Sequence, residues 1–327
     1  MGLKNQTSVL SSLWAAAAAL LFATTTIAQQ YPSRPIRIVI PFAAGGSPDV
    51  IARGISAQLD GQLGKNIIID NRAGANGIIG AEIVAKATPD GHTLLHTPPA
   101  FVLNQLVYKK LPYEVLRDFI PVIQIGNSGG YLVLVSPALG VNSIKDFIAL
   151  AKAKPLSYGS PPAGNTLHLA SEMFRQRASI PLQHVPYKGG AETFTGLITG
   201  EVHILFVPPP SAVPYVKSQR LRAIAFTGQN RLPAAPDVPT LAESGIADMV
   251  VDFTWHGWFL PAKTPMDIVR RLNSEARKAL QTQKMRALMD SVSFQPVANT
   301  PDEFRAFVQS EMKRYAEIVR AANIRVE

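Results

Sequence analysis

The chain predicts an α/β protein of two lobes, each a mostly parallel sheet flanked by helices, and three observations carry that expectation. Short apolar, β-rich runs alternate with amphipathic segments over most of its length, the rhythm of strand–helix–strand units. Two stretches, GNSGGY at 126–131 and residues 248–255, read as crossover strands that join outer segments to a middle one and leave a hinged cleft. At three strand ends a Gly- or Pro-rich loop leads into a helix start, where α/β proteins hold ligands.

Residues 1–28 read as a secretory signal peptide: Lys4 in a polar start, an apolar run over 9–23, then Thr26-Ile27-Ala28 as a small-residue cleavage site. The run is too short and Ala-rich for a membrane span, and no later segment approaches about 18 uninterrupted apolar residues. The first strand, 36–40, enters the loop PFAAGGSPD. There Ser47 suits an N-cap, Pro48 the first helical position, and Asp49 the positive end of the helix dipole. Gly45 and Gly46 let amide N–H groups approach a ligand. With no Lys or Arg before Arg53, the loop suits a small anion held by backbone dipoles. It matches neither a Walker loop nor G-x-G-x-x-G.

Further strands are expected at 66–69, 93–96, 120–126, 131–135, 156–160, 183–186, 203–207 and 221–226. The loop after 156–160, SPPAGNT, repeats the first, with Asn165 or Thr166 as N-cap. The loop after 183–186 adds Tyr187, Lys188 and two glycines. TPMDIVRRLNSEARKALQ and TPDEFRAFVQSEMKRYAEIVRAA read as capped amphipathic helices that pack back on the sheet. The lobes are accordingly 29–130 plus 253–327, and 131–252.

Composition narrows the classes. Roughly 300 residues after the leader suffice for two domains. The absence of cysteine excludes a lipobox, a disulfide, a thiolate nucleophile and cysteine-ligated zinc. Loss of Lys4 lowers the formal net charge of +9 by one, and the remaining basic residues are dispersed, unlike a nucleic-acid module. The six His residues lack tight ligand spacing, so neither metal nor cofactor is expected. His168 reads as a capping or packing residue. Gly126–Gly130 fits G-x-S-x-G around Ser128, but a strand rather than a helix follows, which disfavours a nucleophile elbow. Phe42, Phe101, Tyr187, Phe206 and Trp255 read mainly as core, those beside loops as apolar walls.

These pieces resemble the Bug-type substrate-binding proteins of tripartite tricarboxylate transport systems. The resemblance rests on YPSRPIRIVIPFAAGGSPDVIAR, DNRAGANGIIGAEIVAKATPDGHTLL, LPYEVLRDFIPV, LHLASEMF, HVPYKGGAE, LRAIAFTGQNRLPAAPDVPTLAESG, WHGWFLPAKTP and IVRRLN, in order across the mature chain. It implies a type II periplasmic-binding-protein fold. Such receptors hold organic acids largely through backbone groups and ordered water, with integral membrane permease subunits as partners. The first loop then corresponds to Phe42, Ala43, Ala44, Gly45, Gly46 and Asp49, the second to Ala163, Gly164, Asn165 and Thr166, and the third to Tyr187, Lys188 and Gly189. DNRAGANG and PDGHTLL depart from the family's usual ENRPGAGG and PDGYTLL, departures read as scaffold rather than pocket. The expected protein is a monomeric periplasmic receptor for a small organic acid. The alternatives are the same receptor serving a sensor kinase ectodomain, or an exported hydrolase using Ser128.

Overall fold

Two mixed sheets organise the chain, and both belong to residues 34–327, which cluster as one unit. This computed structural model describes residues 31–322 apart from 163, 189 and 248. The leader read at 1–28, loop positions Ala163 and Gly189, and the start of the second crossover therefore lie outside the described residues. β1 (Ile36–Ile40) leads to α1 (Ser47–Leu63), β2 (Ile67–Asn71), α2 (Ile78–Ala85), β3 (Thr93–Thr97), α3 (Ala100–Val107), the single turn α4 (Val115–Asp118) and β4 (Phe119–Asn127). The middle segment carries β5 (Leu132–Val135), α5 (Ile144–Ala153), β6 (Leu156–Ser160), α6 (Thr166–Arg177), β7 (Leu182–Pro186), α7 (Gly190–Thr199), β8 (Ile204–Val207), α8 (Pro209–Lys217) and β9 (Arg222–Phe226). Last come β10 (His256–Pro261), α9 (Met266–Gln281), α10 (Gln283–Ser291), β11 (Gln295–Pro296) and α11 (Pro301–Ala322).

The first sheet has the order β11-β4-β10-β3-β1-β2 and the second β7-β6-β8-β5-β9. β1 is fully buried at Ile36, Ile38, Val39 and Ile40, so both its faces are covered, as its unbroken apolar run requires. Parallel pairing holds for β1 with β2 and β3, and for β6 with β7 and β8. β10 is antiparallel to β3 and β4, and β5 to β8 and β9, so the sheets are more mixed than the strand–helix rhythm suggests. β5 and β10 enter their sheets from the other sheet, with no βαβ connection to impose a parallel direction. β10 inserts into the middle of its sheet, between β3 and β4.

The two connections between the sheets are bonded to each other. Tyr131 N donates to Thr227 Oγ1 (2.8 Å), Thr227 N returns to Tyr131 O (2.9 Å), and Val251 N donates to Thr227 O (2.9 Å). The Tyr131 hydroxyl donates to Phe253 O (2.6 Å), and Ser128 N to Thr254 Oγ1 (3.1 Å). At the C-terminal end, α11 packs on β4 and α3. It begins with a capping box in which Thr300 N donates to Glu303 Oε2 (2.8 Å) and Glu303 N to Thr300 Oγ1 (3.3 Å). α9 differs from expectation. Its N-cap is Pro265 with no side-chain cap, because the Thr264 hydroxyl turns back to Pro261 O (2.8 Å). No helix among the described residues is long and apolar enough to cross a membrane.

Candidate functional site

The first loop is held from within by Asp49. Its buried carboxylate accepts from Gly45 N (3.0 Å), Arg53 Nε (2.9 Å) and Asn71 Nδ2 (3.1 Å), while Asn71 Nδ2 also lies 3.1 Å from Phe42 O. Desolvation pushes the Asp49 pKa upward, but these donors outweigh it and the net direction is down, so the group is a fixed anion. It is committed to the loop, and it occupies the Gly45 N–H. Gly45 takes φ +85, a conformation glycine adopts without strain. The N-cap is Gly46, in extended backbone, and not Ser47. The chain turns into the helix one residue early, leaving Ser47 at the first helical position with its hydroxyl 3.2 Å from His256 Nε2. The N–H groups that open α1 have no partner within the helix.

The second loop meets the turn before α2 across the cleft. Asn165 caps α6 by accepting from Leu167 N (3.0 Å), and its Nδ2 donates to Asn76 Oδ1 (2.7 Å). Asn76, in the left-handed region at φ +54, is itself fixed: its Nδ2 donates to Asn104 Oδ1 (2.7 Å), and Asn104 Nδ2 returns to Asn76 O (3.0 Å). All three asparagines are buried. A chain of amides thus links α3, the turn before α2, and the N-terminus of α6.

Between these loops lies a cavity of about 270 Å³. Of the residues proposed from sequence, Phe42, Ala43, Gly46, Asn165, Thr166 and Lys188 line it. Ala44, Gly45, Asp49, Gly164 and Tyr187 do not. Ala44 and Gly45 face solvent, Asp49 braces the loop, and Tyr187 packs against α7, where a Cβ at Gly196 would meet its ring. Lys188 is the only lysine or arginine among the described lining residues, and no carboxylate lies among them. Phe206 lines the wall as well, whereas Phe101 and Trp255 belong to the core.

Sequence reasoning missed part of the wall. Residues 73–77, in the stretch read as scaffold, line the cavity, and Asn76 supplies the contact across the cleft. The excess of asparagine and glycine in DNRAGANG was the available signal, since such residues accept the left-handed turn seen here. His256 arrives from β10, which carries no loop signature, whereas Tyr131 and Thr254 come from the two stretches read as crossovers beside the cleft. Ser128 lies between β4 and β5 with no helix after it, so the strand-to-helix turn of a nucleophile elbow is not formed. His168 sits in a ring cluster, with centroids 4.7 Å from His184 and 6.2 Å from Tyr158. Burial lowers its pKa to about 4, leaving a neutral packing residue. Burial likewise drives His96 down to about 3 and His256 well below its usual value. Neither buried ring is a cation at neutral pH, so the positive character of the cavity comes from the helix starts and Lys188.

The profile described as "Tripartite tricarboxylate transporter family receptor" matches residues 51–324. The chain is 33% identical over 328 residues to protein BugT of Bordetella pertussis, covering 99% of this chain and 100% of that one. Among solved structures it is similar to the periplasmic binding protein BugD, at TM-score 0.86 and 28% identity, over 91% of this chain and 100% of that one. It is similar to Rpa4515 of R. palustris, solved with adipate, at TM-score 0.86 and 32% identity over 90% and 99% of the two chains. It is also similar to MatC of Rhodopseudomonas palustris, solved with bound malate, at TM-score 0.82 and 28% identity over 88% and 100%.

Proposed function

Because the chain belongs to the tripartite tricarboxylate transporter family of receptors, we propose that it is an extracytoplasmic receptor that captures a small organic acid between its lobes and delivers it to membrane permease subunits. The observation that carries this reading is the interlobe cavity at two helix N-termini, with one lysine and no carboxylate among its described lining residues. Two relatives of the same fold were solved with the dicarboxylates adipate and malate. One carboxylate of the ligand would rest on the amides of Gly46 and Ser47. The far end would lie near Thr166 and within reach of Lys188. The apolar wall of Phe42, Phe194, Leu205 and Phe206 suits a methylene chain or a ring between them.

The mechanism has no chemical step. Residues 29–130 plus 253–327 form one lobe and 131–252 the other, and ligand contacts made only when they close shift the population toward closure. The protein is exported, with its leader removed near Ala28, and docking to the permease reads the closed shape. The test is a thermal-shift screen of the mature protein, stripped of ligand by unfolding and refolding, against organic acids, amino acids and aromatic carboxylates. A ligand at about 100 times its dissociation constant adds about 2.7 kcal/mol of stability. A shift confined to carboxylates supports the reading, and a folded protein that responds to no carboxylate overturns it.

A further inference from the structure

Behind Ser47 lies a line of buried polar groups that the capture mechanism has not used. The Trp258 indole donates from Nε1 to His96 Nδ1 at 2.9 Å. His96 and His256 meet edge to face with ring centroids 5.3 Å apart, and His256 Nε2 lies 3.2 Å from Ser47 Oγ. Ser47, His96, His256 and Trp258 are all at most 3% exposed. His96 Nε2 and His256 Nδ1 are buried with no hydrogen-bond partner.

An indole N–H only donates, so His96 Nδ1 must accept. A neutral His96 then carries its proton on Nε2. If His256 carried its proton on Nδ1, two unpaired N–H groups would be buried on neighbouring rings. With the proton on Nε2, His256 leaves a bare Nδ1 lone pair instead of a second buried N–H without an acceptor, the less costly of the two arrangements. The Nε2–H then donates to Ser47 Oγ. Resting on the reading of the cavity as a carboxylate site, we infer that Trp258 and His96 set the tautomer of His256, which makes Ser47 a hydrogen-bond donor to the ligand. His96 and His256 are positioning residues, and Ser47 touches the ligand. With its oxygen already accepting from His256, the Ser47 hydroxyl has its own proton to give. It can therefore donate to an ionised carboxylate oxygen, which it could not do if its proton were given to His256 Nε2.

The test uses the whole mature protein labelled with 15N in its histidines. Long-range nitrogen–proton correlation at neutral pH reads each tautomer with no ligand needed, so it stands apart from whether the protein is a receptor. The expected result is His96 and His256 both neutral with the proton on Nε2, and a His256 proton on Nδ1 overturns the inference. In Trp258→Phe the indole donor is gone, and His96 is expected to gain a population with the proton on Nδ1. An unchanged His96 tautomer in the folded variant refutes the role of Trp258, and if the variant does not fold the wild-type tautomers decide. Adding excess acetate as a bare carboxylate probe is expected to move the His256 Nε2 resonance without changing its tautomer. No movement removes the donor role of Ser47 even where the tautomers are as expected.

Discussion

Replacing Asn165 with Ser separates the two roles of that side chain. Serine caps a helix about as well as asparagine, so α6 keeps its first turn, but serine has no amide to reach Asn76 Oδ1. The lost bond joins the two sides of the cleft, so its removal acts on closure. A neutral hydrogen bond contributes about 0.5–1.5 kcal/mol, and leaving the buried Asn76 oxygen without a donor adds to the cost in the closed form. A loss of about 1–2 kcal/mol in closed-state preference lowers apparent affinity about 5–30-fold when the free protein is mainly open. Asn165→Ala loses the cap as well and is expected to cost a further ~1 kcal/mol of global stability. Calorimetric titration with the strongest acid from the thermal screen, together with small-angle scattering of the free protein, measures both terms. If Asn165→Ser binds as tightly as wild type and scatters identically, the bond is no latch and the argument from the cleft fails.

Three further outcomes are expected. Gly46→Val should fold, since φ is −78 and a Cβ there meets only Pro48 and Ala43 at 3.7 and 3.8 Å, yet it should weaken ligand binding at least tenfold by crowding the opening of α1; intact affinity in a folded variant refutes the placement of the carboxylate. Stability should fall on acidification. The folded pKa of His96 is depressed to about 3 from 6.5, so its contribution is present above about 6.5 and is lost as pH falls toward 3, by about 2 kcal/mol at about pH 5. His256, also depressed, acts in the same window with the same sign, whereas Asp49 adds its loss only below about pH 4; a melting temperature that does not change between pH 7 and 5 refutes the neutral buried pair. Ser128→Ala removes a buried hydroxyl with no partner and should leave stability within about 0.5 kcal/mol of wild type and ligand binding unchanged, whereas an ester turnover abolished by this change would restore the hydrolase reading.

The first nine strands were legible in their runs, but β10, His256–Pro261, was not expected as a strand although its run is apolar and buried throughout. The strand expected at 66–69 extends instead over Ile67–Asn71, because pairing with β1 draws the polar Asp70 and Asn71 into the ladder, a contact that composition does not register. β11 is two residues long and has no periodicity to read. The central place of β10 depends on pairing with strands far away in sequence, which local pattern does not encode. Glycine-rich turns before helices pointed to the loops at 41–49 and 163–166. They did not identify which member does what: Asp49 and Gly45 brace the loop, while Ser47 gives up the capping role to face His256. A side chain that reaches the cavity from a strand carries no turn signature, and His256 was invisible for that reason.

Six prolines stand in the cavity wall: Pro41, Pro48, Pro98, Pro161, Pro162 and Pro208. Each withholds a backbone donor and holds its φ near one value. An anion entering the cavity therefore finds large parts of its surroundings unable to give a proton to a hydrogen bond. Orientation is imposed by subtraction, because an acid group set against the proline surface loses its hydration without replacement. Stiff walls also leave little backbone freedom to be surrendered on closure, so more of the contact energy survives as affinity.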